Sequence, residues 1–229
     1  MDLKKLENLL GLKFKNKDLL LQALTHRSYL NENPKFHLDH NERLEFLGDA
    51  VLELVVTEYL YRNYPDPEGE LTALRASLVN SKMLAKVGLA LGINDFLLLS
   101  KGESKDQGRA RQYILTDAVE AIIGAAYLDQ GYRAASKFIH KFILSELGNI
   151  IKKKLHKDAK SLFQELAQEK TGITPFYDVL KEWGPDHKRH FKVGVFLAGE
   201  MVGEGEGVSK QEAQQEAARD AIEKKGWNK

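Results

Sequence analysis

The first two thirds of the chain carry apolar residues at the spacing of amphipathic helices. In residues 44–55 and 121–128, leucine, valine, isoleucine and alanine recur three and four positions apart, which places them on one helical face. Breaks rich in proline, glycine or polar residues separate the helical segments, at residues 33–34, 65–69 and 101–108. No strand-like alternation of any length interrupts this pattern. It predicts an all-α domain over residues 1–150.

A basic run follows at residues 151–157 (IKKKLHK). We interpret it as a linker between two domains, because the pattern changes on either side of it. Its charges are interpreted either as the solvated end of a helix, which commonly carries such charges, or as contacts to RNA.

The C-terminal part has the periodicity of helices at its two ends and that of strands between them. A helical pattern at residues 161–170 is ended by Thr171 and Gly172. Apolar residues then alternate with other residues from 191 to 197, the period of a half-buried strand. Ser209 and Glu212 have the spacing of a capping box at the start of a last helix. Residues 158–227 are therefore predicted to form a small α+β domain of order αβββα.

The composition excludes several kinds of functional site but says little about binding partners. The 229 residues include no cysteine, which excludes disulfides, thiolate metal sites and cysteine nucleophiles. Lysine and arginine number 34 against 33 acidic residues, so bulk charge does not indicate a polyanion partner. No apolar stretch is long enough to span a membrane, and the N-terminus lacks the uninterrupted apolar core of a secretory signal. We therefore expect a cytoplasmic protein with no membrane partner.

An acidic stripe marks residues 41–50 (NERLEFLGDA). With about 100° of rotation per residue, Glu42, Glu45 and Asp49 share one face of a helix, and Glu53 continues it. Like charges at this spacing destabilise a helix, and burial beside the neighbouring apolar face adds to the cost unless cations neutralise them.

A second segment repeats the arrangement. Asp117 and Glu120 share a helical face, and Gly124 lies one turn further along it. Glycine is unfavourable within a helix, so Gly48 and Gly124 suggest a close helix–helix approach beside the acids. If the two helices pack face to face, four carboxylates converge without histidine or cysteine. Such all-oxygen ligation suits Mg²⁺ or Mn²⁺.

Other interpretations of these acids stay open at this point. Acidic residues three positions apart are common on solvated helix faces. Glu42 could instead be the N3 partner of an N-cap at Asp39, and Glu53 is interpreted as a surface residue. The histidines at positions 26, 37, 40 and 140 are interpreted as structural or surface residues rather than ligands.

Three segments of the first domain resemble bacterial ribonuclease III. Residues 41–50 resemble that family's signature, residues 115–129 (LTDAVEAIIGAAYLD) its second acidic motif, and residues 25–29 (THRSY) a further stretch. The C-terminal domain is similar to a double-stranded-RNA-binding domain, with GPDH at residues 184–187 and Ser209-Lys210 at the last helix. The resemblance covers nearly the whole chain, in the family's order.

The resemblance implies a Mg²⁺-dependent endoribonuclease that hydrolyses double-stranded RNA to 5′-phosphate and 3′-hydroxyl ends. It implies a homodimer that processes ribosomal, messenger and other RNA precursors, with two Mg²⁺ (or Mn²⁺) per active site and no small-molecule cofactor. The implied catalytic and metal-binding residues are Glu45, Asp49, Asp117 and Glu120. By the same resemblance, Glu42 and a loop residue, Glu68, line the cleavage groove, and Phe46 lies in the dimer interface.

The resemblance also implies RNA contacts in the second domain. The corresponding residues are Gln164, Glu165, His187, Lys188, Ser209 and Lys210. The last helix departs from the family pattern, because residues 208–211 (VSKQ) contain a single lysine and Gln214 replaces a common acid. Two alternatives to the nuclease stay open: a dimer that binds double-stranded RNA without cutting it, and a metal-dependent hydrolase of small phosphoesters.

Overall fold

A computed structural model describes residues 2–105, 108–152, 156, 158–185 and 188–227, with Arg109 described by its backbone only. The chain divides into two compact units, residues 1–156 and 157–229. The first is helical and the second has the order αβββα, so the predicted fold class is confirmed.

The first unit is built from α-helices and the segments that connect them. They are α1 (Leu3–Leu10), α2 (Lys17–Ala23), α3 (Arg27–Glu32), α4 (Glu42–Asn63), α5 (Glu68–Val79), α6 (Ser81–Ala90), α7 (Arg109–Gln130), α8 (Tyr132–Phe142) and α9 (Leu147–Lys152). Short 3₁₀ turns lie at Ile93–Phe96, Glu103–Lys105 and Leu144–Glu146. Across the described ranges, no helix is both long enough and apolar enough to cross a bilayer.

The core of this unit lies around the two long helices, α4 and α7, which have 22 residues each. The middle of α7 is almost wholly buried, with Ala118, Ile122 and Ala125 fully inaccessible to solvent. The buried face of α4 includes Leu52 and Val56. The two helices contact each other extensively along these faces.

The start of α4 differs from one expectation. The helix begins at Glu42 with Asn41 as its N-cap, so the suggestion that Asp39 caps it was wrong. The buried Asn41 donates its backbone N–H to Thr25 O at 2.9 Å and its side-chain amide to Ala23 O at 3.4 Å. These bonds fix the first turn of α4 to the end of α2.

The predicted linker begins inside a helix. Lys152 ends α9, and Ile151 packs against the helical core. Residues 153–155 and 157 lie outside the described residues. His156 lies with its Nε2 atom 3.6 Å from a carboxylate oxygen of Glu70 on α5, so the last residue of the first unit contacts that unit.

The second unit places two helices against one sheet. Its elements are α10 (Ala159–Thr171), β1 (Phe176–Trp183), β2 (His190–Leu197), β3 (Glu200–Gly207) and α11 (Lys210–Lys224). The strands are antiparallel in the order β1-β2-β3. The alternating apolar residues of β2 are buried as predicted, and Gly172 ends α10 in the left-handed conformation.

A glycine–alanine seam joins β3 to α11. A Cβ placed on Gly203 would lie 2.6 Å from the carbonyl oxygen of Ala217, and one on Gly207 would lie 2.7 Å from the nitrogen of Ala213. A Cβ on Gly205 would overlap the same stretch of helix backbone. The helix therefore rests directly on the strand backbone, which only glycine permits.

Candidate metal centre and RNA-contacting surfaces

Three carboxylates converge where α4 and α7 meet. Glu45 comes from α4, and Asp117 and Glu120 come from α7. One oxygen from each of the three lies within 4.8 Å of the others. All three side chains are at least partly buried. We call these residues the carboxylate cluster.

Two glycines allow this convergence. A Cβ placed on Gly48 would overlap the carbonyl group of Glu120, and one on Gly124 would overlap the carbonyl oxygen of Leu44. The helix axes therefore come closer at this crossing than side chains would allow. The predicted close approach beside the acids is confirmed.

The three carboxyl groups of the cluster have raised pKa values, so their ionised forms are disfavoured. Burial, followed by the charge of Asp117, raises the pKa of Glu45 to about 7. Burial raises the pKa of Asp117 to about 6, and burial with the nearby acids raises that of Glu120 to about 8. Within the part of the chain that the structure describes, no cation pairs with these carboxylates. Oxygen donors with uncompensated charge fit a hard divalent cation, which would remove the repulsion.

Asp49 lies beside the carboxylate cluster rather than within it. Its side chain is exposed, and it is not part of the group whose oxygens lie within 4.8 Å. Its charge nevertheless raises the pKa of both Glu45 and Glu120. Asp49 therefore contributes to the same negative potential.

The other acids named from sequence have different surroundings. Glu42 carries its carboxylate 3.6 Å from an Arg27 guanidinium nitrogen, yet its charge still raises the pKa of Asp117. Glu53 forms an ion pair with Arg75 at 3.0 Å. Glu68 is the first residue of α5 rather than a loop residue, and it accepts a hydrogen bond from Thr72 at 3.0 Å. Its charge is not among those that shift the cluster's pKa values.

The segment at residues 25–29 has a structural task. His26 donates its backbone N–H to Leu98 O at 3.1 Å, and the hydroxyl of Ser28 accepts the N–H of Ser100 at 3.1 Å. The His26 ring caps α3 by accepting the N–H of Ser28, and burial lowers the pKa of this ring. The segment therefore holds the loop after residue 97 in place.

Asp129, at the end of the second acidic motif, binds backbone rather than facing the carboxylate cluster. Its two carboxylate oxygens accept the N–H groups of Lys15 and Asn16, each at 2.8 Å. Sequence reasoning missed this contact, because the two partners are more than one hundred residues away in the chain.

Phe46 projects from α4 with 81% of its side chain exposed. Leu54 and Tyr61 on the same helix are also exposed, and the helical period places all three on one side, next to the acidic stripe. A cavity of about 840 Å³ adjoins Tyr61 and is bounded by α4 and α5, with Leu60 and Leu71 in its wall. Exposed apolar residues on one side of a helix are typical of a surface that another molecule covers.

The RNA-contacting residues expected in the second unit lie on its exterior. Gln164 and Glu165 are exposed on α10. Lys188, Ser209 and Lys210 line one cavity of about 750 Å³ between the β1–β2 loop and the start of α11. Arg189, which sequence reasoning missed, lines the same cavity. His187 lies outside the described residues.

The start of α11 has the predicted N-cap at Ser209, but the returning bond of the Glu212 side chain reaches the residue before the cap, so the predicted capping box is formed only in part. Ser209 Oγ accepts the N–H of Glu212 at 3.1 Å, and the Glu212 carboxylate accepts the N–H of Val208 at 2.8 Å. The Lys210 ammonium lies 5.6 Å from the centre of the Phe191 ring. The positive end of the helix dipole and this ammonium together favour an anion here.

Two family profiles match the chain. The profile described as "Ribonuclease-III-like" matches residues 16–147. The profile described as "Double-stranded RNA binding motif" matches residues 159–225. Together they match both structural units.

Relatives and solved structures agree with these matches. The chain is 46% identical over 220 residues to ribonuclease 3 of Pelotomaculum thermopropionicum, covering 96% of this chain and 91% of that one. It is 44% identical over 226 residues to ribonuclease 3 of Campylobacter jejuni, covering 98% of each. A solved nuclease domain of ribonuclease III from C. jejuni, described for flexibility in a region involved in dimer formation, superposes with a TM-score of 0.57. That domain is 46% identical and covers 63% of this chain and 97% of its own.

Proposed function

The chain belongs to the ribonuclease III family of endoribonucleases, and from this membership we propose that it hydrolyses double-stranded RNA in a Mg²⁺-dependent reaction. The products would carry 5′-phosphate and 3′-hydroxyl ends. The observation that carries the proposal is the carboxylate cluster, Glu45, Asp117 and Glu120, without a cation partner in the described residues.

The carboxylate cluster, with Asp49 beside it, would hold the divalent ions, two of them during cleavage. When bound, such ions neutralise phosphate charge and lower the pKa of a coordinated water. The chain's own contribution is to fix the oxygen donors on two packed helices, so that little reorganisation is needed. Mn²⁺ would suit the same oxygen donors.

A homodimer through the first unit is the second part of the proposal. Phe46, Leu54 and Tyr61 form an exposed apolar stripe on α4, which a second copy would cover. Two-fold symmetry would then present two carboxylate clusters to the two antiparallel RNA strands. The cavity beside Tyr61 offers an apolar wall that could receive a partner side chain.

The second unit would bind duplex RNA by shape. A-form RNA presents 2′-hydroxyls in its wide minor groove and phosphates across the major groove. Gln164 and Glu165 on α10, together with His187, would contact minor grooves. Lys188, Ser209 and Lys210 would contact phosphates. We further propose that the chain acts on ribosomal, messenger and other RNA precursors in the cytoplasm.

The proposal is tested by incubating the purified chain with long double-stranded RNA, with and without Mg²⁺, and analysing the ends. We expect short duplexes with 5′-phosphate and 3′-hydroxyl ends only when Mg²⁺ is present. Single-stranded RNA of the same sequence is the control substrate. Retention of the duplex without cleavage would instead favour the non-cleaving RNA-binding dimer.

A further inference from the structure

An exposed tyrosine lies next to the carboxylate cluster. Tyr113 is on α7, four residues before Asp117 and seven before Glu120. At about 100° per residue, its side chain lies within about 40° of both acids around the helix axis. The side chain is 52% exposed, and its chain neighbours Ile114 and Leu115 are buried. Tyr113 therefore shares the acids' face of α7 and is open to solvent.

The exposed half of this side chain has no polar or ring partner among the described residues. No hydrogen bond, ion pair or ring contact of Tyr113 joins it to another described residue. The Cβ atoms of residues four apart on a helix are about 5–6 Å from each other, so Tyr113 lies immediately beside Asp117. Its aromatic ring and hydroxyl are thus available to whatever the carboxylate cluster acts on.

The chemistry of the surroundings limits what Tyr113 can offer. RNA phosphates and the carboxylate cluster are both negatively charged, so a neutral side chain beside the cluster can approach the substrate without adding to the repulsion. Tyrosine supplies an apolar ring face and a hydroxyl that both donates and accepts. The minor groove of A-form RNA displays ribose rings and 2′-hydroxyls, which match these two groups.

We propose that Tyr113 contacts the substrate directly, with its ring against a ribose and its hydroxyl bonded to a 2′-hydroxyl of the strand that is cut. This inference rests on the proposed cleavage of double-stranded RNA. The rise along α7 from Tyr113 to Asp117 is about 6 Å, so the contacted sugar would lie close to the scissile phosphate. The contact would help the enzyme distinguish RNA from DNA.

The test uses the full chain with Tyr113→Phe and Tyr113→Ala and a short hairpin with one cleavage site. We expect KM to rise about two- to tenfold for Tyr113→Phe, the size of one lost hydrogen bond, and further for Tyr113→Ala. The value of kcat should stay within about twofold, because the contact is made equally in the ground and transition states. Duplex binding in the absence of divalent ions should weaken in the same order.

Substrates with single 2′-deoxy sugars near the cut identify the bonded position. The parent should lose affinity at one such position, and Tyr113→Phe should be indifferent to it. Leu128→Ala, at an equally exposed position of the same helix, is the matched control and should change nothing. Unchanged KM in both tyrosine variants, or equal sensitivity of parent and Tyr113→Phe at every deoxy position, would overturn the inference. A parent chain that cuts normally keeps the proposed function intact in either case, whereas a parent that cuts nothing refutes that function itself.

Discussion

Gly48 of α4 and Gly124 of α7 face each other at the helix crossing, and a Cβ on either would lie about 3 Å from the backbone nitrogen of the other, 2.9 Å and 3.1 Å respectively. Backbone atoms cannot move aside as a flexible side chain would. The same crossing positions Glu45 opposite Asp117 and Glu120. The stability of the first unit and the geometry of its carboxylate cluster therefore depend on the same two residues.

Gly124→Ala is expected to lower both stability and cleavage. Overpacking typically costs about 1–3 kcal/mol, which exceeds the roughly 1 kcal/mol that alanine gains in a helix. Thermal unfolding measures the first effect and duplex cleavage the second. Gly69→Ala in α5, where a Cβ meets nothing within 4 Å, is the control and should leave both unchanged or raise stability slightly.

Glu120→Gln should separate cleavage from binding. The substitution keeps the shape of the side chain and removes one negative charge from the carboxylate cluster. We expect cleavage at low Mg²⁺ to fall by orders of magnitude, while a gel-shift assay still shows retention of double-stranded RNA. Near-normal turnover under these conditions would refute the role of Glu120 as a metal ligand.

The stability of the metal-free chain should fall as the pH rises from about 5 to 8. The pKa values of Glu45 and Glu120 are raised to about 7 and about 8, so the folded state binds more protons than the unfolded state in this range. The melting temperature in a chelating buffer should therefore decrease with pH, and Mg²⁺ should restore most of the loss at pH 8.

His26 has the opposite effect on the pH dependence of stability. Burial lowers the pKa of its ring, so its contribution to stability increases as the pH rises. The comparison of the parent with Glu120→Gln isolates the carboxylate cluster, since both contain His26. A flatter profile is expected for the variant. Two parallel profiles would show that Glu120 keeps an ordinary pKa.

Phe46→Ala should shift the chain from dimer to monomer. An aromatic ring that is 81% exposed in one copy gains its stabilisation only when a second copy covers it, and truncating a buried aromatic residue costs about 3–5 kcal/mol. Sedimentation at low micromolar concentration measures the change. Leu89→Ala, at an exposed position on α6, is the control. A monomeric parent, or a variant that stays dimeric, would contradict the assignment.

Adding lysines at the start of α11 should strengthen binding of double-stranded RNA. Val208 and Gln211 flank Lys210 and are exposed, so lysines there could each neutralise a phosphate. Each phosphate neutralised adds close to one unit to the slope of log affinity against log salt for duplex DNA. In a Glu120→Gln background, the double change to lysine should steepen this slope by up to about two units.

The basic run before the second unit could compensate for the single lysine. The same salt titration should therefore be repeated with lysines 152–154 changed to alanine. Equal slopes for the parent and the double-lysine variant would mean that positions 208 and 211 do not face phosphate.

The features that sequence predicted are those set by local periodicity. The helical first unit, the strand that contains Val193, and the cap at Ser209 each depend on neighbours within a few residues. The close approach of the two acidic helices was also predictable. Glycine is unfavourable within a helix, so Gly48 and Gly124 indicated that a neighbouring backbone lies too close for a side chain.

The features that sequence missed depend on distant partners. Asp129 binds the backbone of Lys15 and Asn16, and Glu53 pairs with Arg75. Neither contact leaves a periodic signal. The N-cap of α4 was mispredicted for a related reason, since the backbone N–H of Asn41 is bound by Thr25 on the preceding segment.

The glycine–alanine seam between β3 and α11 fixes the position of the helix independently of the surface residues that would set the strength of RNA binding. Because Gly203, Gly205 and Gly207 meet the alanines of α11 backbone to backbone, the inner side of that helix accepts almost no substitution. Gln211, on the opposite side of the helix, is exposed. Substitutions of surface residues on this helix could therefore change the affinity for RNA during evolution without moving the helix.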